Sequence, residues 1–550
     1  MLRRSAPARN SFLFVGAVVS LACSSSPSGP VAVTVTPTPI NVLTCSTTPF
    51  TATLTGTTET AVDWSITPAT GAGTIGIEGD YSAPTTAPTA PNNSVTVTAL
   101  TEGNPSQGNT TPPFIVATAF PGAPIPVPGS TGVGEIGDPS IGVYQHLAAA
   151  SGNRVYATWV DNPAPPATEI KQMVARSDDG GATWTTPVPA IDATILGGST
   201  TNDGSMDCPA IAVDPGNPDV VYTTATADLG NSLGASAGDP TGPAVVFSVS
   251  VDGGKTFTPT VLSTAFAAFD PCQDIASPAP NTVVVTVPGT GCNQLTTTAM
   301  DIYVWSDANR GAGFASGSLD SKQAFWASGL TGALDVLRGD PSCSTDLIAY
   351  DNGGDNDSAQ AIESPRMFVD GHGRLCLVYA ATSQTGAIEN SYVQCSADAG
   401  HSFTQPSELD PALATDNQPS GTFGPGNAAA IAWTTNVAGA DQQTLYIVLS
   451  NDGGATFGAP IVVPTLAKPF SPSILYDASG VIWIAYRIDG GSALVVDKSC
   501  DEGLTFSGPV SASVAADDSL MGPSLLDTGA PAPRLFGAAE MNLASFSLSP

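Results

Sequence analysis

Positive charge is what this chain most lacks. Its 550 residues hold 16 Lys and Arg against 48 Asp and Glu, and charged residues make up only 12%, about half the usual share. With no basic cluster to neutralise a run of phosphates, nucleic-acid partners are not expected. Attraction to an anionic membrane face is ruled against on the same ground. Three His make a His-rich zinc site improbable, and no CxxC pair occurs, so a zinc ribbon or a thioredoxin-like site has no support. What the chain does have is 57 Gly, 48 Pro and 42% hydrophobic residues. That composition fits an acidic, turn-rich, all-β, exported protein of several domains.

Residues 1–22 read as an export signal. Arg3, Arg4 and Arg9 precede an apolar stretch, Phe12 to Ala22, that is too short to span a bilayer as a helix. Ser20-Leu21-Ala22-Cys23 resembles a bacterial lipoprotein signal, with Ser20 where such signals usually carry Leu. The resemblance implies lipid on Cys23, a Ser-rich tether at 23–30, and a place on the outer membrane or cell surface. Membrane contact would then run only through the anchor. Eight further cysteines, an even number in an oxidising compartment, imply disulfides. Cys376 and Cys395 lie in consecutive expected strands and Cys272 and Cys292 bracket one, which makes Cys272–Cys292 and Cys376–Cys395 the expected pairs. Cys45 stands alone in its domain and is expected to leave at least one thiol free.

Residues 31–118 alternate with period two, as in Val31-Ala32-Val33-Thr34-Val35 and Val95-Thr96-Val97-Thr98-Ala99, with Gly/Pro/Asn clusters between the runs. About seven short strands in such a length fit a β-sandwich. The segment resembles bacterial Ig-like domains throughout, which implies a spacer with Trp64 in its core. Residues 119–134 form a Pro/Gly linker, expected to be a semi-rigid spacer.

From 135 to 550 two repeats recur. The first is Ser-x-Asp-x-Gly-x-Thr/Ser-aromatic, centred on Asp179, Asp252, Asp398, Asp452 and Asp501, with a stretched copy between Ser306 and Phe314. An Asp carboxylate accepts hydrogen bonds from the N–H groups of its own tight loop, and Gly takes a backbone angle closed to other residues. The five Asp are therefore read as structural. The second repeat, Pro-small-Ile/Leu, opens at Pro139, Pro209, Pro365, Pro472 and Pro523, with further starts expected at Pro271 and around Ala428. Together these repeats resemble the Asp-box (BNR) β-propellers of the sialidase superfamily. Seven starts and about six boxes imply six blades, the last start closing the ring against the first.

In such a propeller the first strands line a channel. Asp138, Asp207, Asp270 and Glu363 precede the repeat prolines and would gather at its mouth, and Arg366 would point into it. Clustered carboxylates suit acid–base work, cation binding or turn capping alike, and Arg366 suits either the channel or an ion pair with Glu363. Asp351, Asp355 and Asp357 offer hard oxygens for Ca²⁺, the one cofactor in view, or a solvated loop. His146, His372 and His401 show no catalytic partner. Active sialidases carry an Arg in a Phe-Arg-Ile-Pro motif in the first blade; aligned on Pro139, that position is Gly137. Neither the rest of the arginine triad nor the Tyr–Glu nucleophile pair can be placed. The expectation is a surface lipoprotein that binds glycan or protein without standard sialidase catalysis. An exo-acting glycoside hydrolase and a structural envelope protein are the alternatives.

Overall fold

The computed structural model describes residues 30–130, 148–161, 171–192, 206–227, 244–263, 273–290, 300–312, 321–326, 335–336, 347–351, 362–382, 389–404, 406–409, 416–436, 443–488, 493–513, 522–539 and 542–549. Among the described residues the regular elements are strands, and no helix is long and apolar enough to cross a membrane.

The Thr/Val alternation of the N-terminal segment has a direct structural counterpart. Ala32–Thr36 buries Val33 and Val35 and exposes Ala32, Thr34 and Thr36, as a pleated strand with one wet face must. It pairs antiparallel with Thr51–Thr55. Opposite lies a sheet in which Ser94–Thr101 runs between Val62–Thr67 and Phe114–Ala117. The sandwich closes over Val33, Val35, Val95, Val97 and Val116. Phe50, Tyr81 and Phe114 meet in its centre with ring centroids 5.4–6.4 Å apart. Trp64 packs on the margin of this core.

The remaining strands form seven radial sheets. Blade 1 runs outward from Ala148–Ser151, blade 2 from Met206–Val213, blade 3 from Asp274–Ala276 and blade 4 from Ile362–Val369. Blade 5 starts at Asp416–Phe423, blade 6 at Pro469–Tyr476 and blade 7 at Ser524–Leu526. Each first strand lies beside the next, and that of blade 7 also lies beside that of blade 1, so the ring closes as a β-propeller. Its apolar core is divided into clusters wedged between consecutive blades, such as Ala430, Ile447, Ile474 and Ile484 between blades 5 and 6.

The expected count of six blades is corrected to seven. The last repeat start, Pro523, does not close against the first; it opens a sheet of its own through Arg534–Ala539 and Asn542–Ser547. The fourth strand of that sheet is Ile125–Pro126, supplied by the linker. Blade 7 therefore has no hairpin between third and fourth strands, and so no place for an acidic turn. The linker is accordingly no free spacer. Phe120 and Gly122 donate N–H bonds to Leu548 and Ser547 carbonyls at 3.0 and 2.9 Å, and Val127 donates to the Leu543 carbonyl at 2.8 Å. Nor is Cys45 a free thiol: it is disulfide-bonded to Cys500 of blade 6.

Candidate functional site

The first strands of blades 2, 4, 5 and 6 share an irregularity. Register shifts between Asp207 and Ala210, Glu363 and Arg366, Asp416 and Ser420, and Phe470 and Ser473. Each shift spans a proline, which has no N–H to give to the ladder and is tolerated where pairing breaks. In two cases the residue before proline takes a positive φ, 53° at Cys208 and 49° at Ser471. Pairing resumes on the residue after proline, so Ala210, Arg366, Ser420, Ser473 and, in blade 7, Ser524 hold equivalent ring positions.

Blade 3 departs from the expected start at Pro271, which lies outside the described residues. Gln273 stands in the place of proline and Asp274 takes the ring position; Ile275-Ala276 repeats Ile211-Ala212 of blade 2. Asp274 was not among the candidates read from the sequence, because the repeat was sought through its proline; the Ile-Ala pair is the signal that would have found it. Asp274 and Arg366 thus face the ring from adjacent blades, and both are buried, 0% and 3% exposed.

Ring side chains also stitch the blades. Asp274 Oδ2 accepts the Met367 N–H at 2.6 Å, and Ser473 Oγ accepts the Leu525 N–H at 3.0 Å. In both cases the donor follows the ring residue of the next blade. Gln273 adds two bonds to blade 2, donating to the Cys208 carbonyl and accepting from the Thr226 hydroxyl, both at 2.5 Å.

Of the other candidates, Asp207 and Glu363 sit on first strands two residues before the repeat proline, opposite Thr226 and Ala380. Asp138, Asp270, Asp355, Asp357, Cys23, Cys272, Cys292 and His146 lie outside the described residues. Asp351 ends a strand of blade 3 opposite Asp335. Among the described residues no group of three or more His, Cys, Asp and Glu is placed to hold a metal ion. Cys376 and Cys395, directly opposite each other in blade 4, form a disulfide. Cys208 is also disulfide-bonded, its other half outside the described residues.

The five repeat acids have a uniform geometry at the far ends of the blades. Asp452 accepts the Ser450 hydroxyl at 2.7 Å, the Thr456 N–H at 2.9 Å and the Thr456 hydroxyl at 2.6 Å. The Thr456 bonds, with the Ser450 hydroxyl, hold its carboxyl down at about 2. Asp179, Asp252, Asp398 and Asp501 repeat the arrangement. All their oxygens are engaged in the turn itself. The motif aromatic packs backwards into the seam with the preceding blade, as Trp184 does edge-on against Phe536 at 6.0 Å.

Most described arginines belong to the same end of the ring. Arg154 bridges Asp178 and, across a seam, Asp219. Arg374 pairs with Asp370 at 2.6 Å and donates to the Gly426 carbonyl of blade 5 at 3.0 Å. His372 is exposed there, its N–H on Asp370 Oδ1 at 2.8 Å, and the His401 ring lies 2.6 Å from the Asp398 carbonyl. Away from that end, the described arginines are Arg366 on a first strand and Arg487 opposite Phe470 on a second.

The chain matches no protein-family model and no curated protein. Among solved structures it is similar to a Hadza microbial sialidase, 13% identical over 74% of this chain and 73% of the other, with a TM-score of 0.38. A polysaccharide lyase of the ulvan lyase family is 13% identical over 78% of this chain and 96% of the other, TM-score 0.48. The α-L-arabinanase of Penicillium chrysogenum is 12% identical over 78% and 98%, TM-score 0.37. The assignment of a propeller rests on the chain's own sheet order.

Proposed function

We propose that this chain is an exported lipoprotein whose propeller binds a glycan or a surface protein without the usual sialidase reaction. The observation that carries this reading is the chemistry of the first-strand ring. Among the described ring positions, Ala210, Ser420, Ser473 and Ser524 are small and neutral, and the one acid, Asp274, stands in the blade next to the one arginine, Arg366. A sialic acid carboxylate is planar and calls for guanidinium forks, whereas Gly137 offers no charge where the family's first Arg is expected. A ring of balanced charge, rich in hydroxyls, suits a neutral ligand better.

A glycoside hydrolase is the second reading. It is favoured by Asp207 and Glu363, which sit just before first-strand bulges, a common device for re-aiming side chains beside active sites. The purified mature chain should bind members of a neutral glycan array and release nothing from a fluorogenic sialoside, with or without Ca²⁺. Sialoside turnover abolished by Arg366→Ala would reverse the order of the two readings. Lipidation of Cys23 is tested by mass spectrometry of the mature N-terminus; an unmodified thiol there would remove the anchor from the proposal.

A further inference from the structure

The ring is closed by the N-terminal part of the chain. We propose that the sandwich is the clasp of the propeller: docked on blade 6 and bonded to it through Cys45–Cys500, it holds the linker in place as the strand that seals blade 7 and joins it to blade 1.

The path is continuous. At blade 6, Cys45 is bonded to Cys500. Next to it Lys498, 2% exposed, donates from Nζ to the Thr44 carbonyl at 2.9 Å while its ammonium lies 4.6 Å from the centroid of the Trp483 ring. The Ser507 hydroxyl donates to the Thr85 carbonyl at 2.5 Å and accepts the Thr44 hydroxyl at 3.0 Å. The Ala87 N–H reaches the Ser507 carbonyl at 2.7 Å. At the seam of blades 6 and 7, Leu43 of the sandwich and Ala119 of the linker are buried among Trp483, Leu494, Leu535 and Phe546. The buried Thr118 hydroxyl donates to the Gly508 carbonyl at 2.6 Å. The linker then runs along Asn542–Ser547 as the outer strand of blade 7. It ends against blade 1, where Trp159 Nε1 donates to the Gly129 carbonyl at 3.2 Å and Val127 is buried among Ala157 and Trp159 of blade 1 and Leu543 of blade 7.

Only the few residues 118–124 separate the last strand of the sandwich from the strand it places in blade 7. Where the sandwich sits therefore fixes where the sealing strand sits. The disulfide joins positions 455 residues apart, so it constrains nearly the whole ring in the unfolded chain as well. A sandwich that were merely a spacer would need none of these contacts.

The test is hydrogen exchange read by mass spectrometry on the mature protein, on a Cys45→Ser/Cys500→Ser variant and on Thr118→Val. The clasp predicts at least a tenfold loss of protection over 122–127 and 542–547 in both variants. Strands Ala244–Ser250 and Gln443–Ser450 of blades 2 and 5 should keep wild-type protection. Should the cysteine variant not fold, mild reduction of the folded wild type serves in its place. Wild-type protection at 122–127 and 542–547 in every arm, or a loss spread evenly over all blades, would overturn the proposal.

Discussion

At the scale of single residues, the acidic turn shows how a short motif is forced by geometry. Its glycine has to turn left-handed and also lie against the preceding blade. Gly454 has φ +88°, and a Cβ there would come within 2.8 and 2.9 Å of the sulfurs of Cys395 and Cys376. Gly480, in the turn between the first two strands of blade 6, has φ +84° and open space around it. Gly480→Ala should cost about 1–2 kcal/mol for the backbone alone, and Gly454→Ala about 1–3 kcal/mol more for the overpacking. Chemical denaturation of the two variants side by side separates the effects; equal losses would mean that the disulfide yields without cost. Asp452 permits a second test. Its folded carboxyl sits near 2, below the ordinary 3.8, so its contribution is present above about pH 4 and is lost as pH falls through 2. Asp452→Ala should lower the melting temperature at pH 7, and the gap from wild type should close between pH 4 and 2. Ligand binding per folded molecule should not change, since the carboxylate is engaged entirely in its own turn.

At the scale of elements, the strands of the sandwich and the blade repeats were legible from alternation and punctuation, because a half-buried strand and a positive-φ turn each restrict composition locally. The number of blades was not legible. It depends on a strand contributed from 125–126, some 400 residues away in sequence from its partner Asn542–Ser547, and no local pattern announces that pairing. The candidate site was half legible for a related reason. Arg366 followed a recognisable proline, whereas Asp274 follows Gln273, which preserves the place of proline in the ring by hydrogen-bonding to blade 2 rather than by breaking the ladder. Cys45 was misread because its partner belongs to another domain. The inter-blade stitch can be tested on its own: Ser473→Ala removes the buried acceptor of the Leu525 N–H and should cost about 1–3 kcal/mol. The readout is the denaturation midpoint, and a value indistinguishable from wild type would deny the ring hydroxyls this role.

At the scale of the whole molecule, sandwich and ring meet around a buried lysine, Lys498, and this gives the assembly a pH signature. Burial pushes Lys498 down to about 7, with Asp477 and Asp497 only partly opposing the shift. Its neighbour Asp497, on the opposite face of the same strand, is pushed up to about 7 by burial, against the N–H bonds it accepts from Lys498 and Gly508. The two groups act in different windows. Below pH 7, Asp497 binds more protons folded than unfolded, so its contribution falls as pH rises from about 4 to 7. Above pH 7 the unfolded Lys498 keeps a proton that the folded one has released, so stability should climb from about pH 7 to 10, by at most about 1.4 kcal/mol per pH unit for the single proton. Buried tyrosines such as Tyr486, raised to about 12, work against stability only above pH 10 and leave that window clear. Lys498→Met keeps the volume over Trp483 and removes the proton, so wild type minus variant reports the lysine together with its attraction for the Asp497 carboxylate. Loss of that attraction moves the Asp497 carboxyl further up and acts in the same direction above pH 7. The difference should rise with pH between 7 and 10 and be flat below 7. A difference independent of pH across that range would mean that the amine stays charged against the Thr44 carbonyl and the Trp483 ring, and that the sandwich is held by a buried cation rather than by a neutral donor.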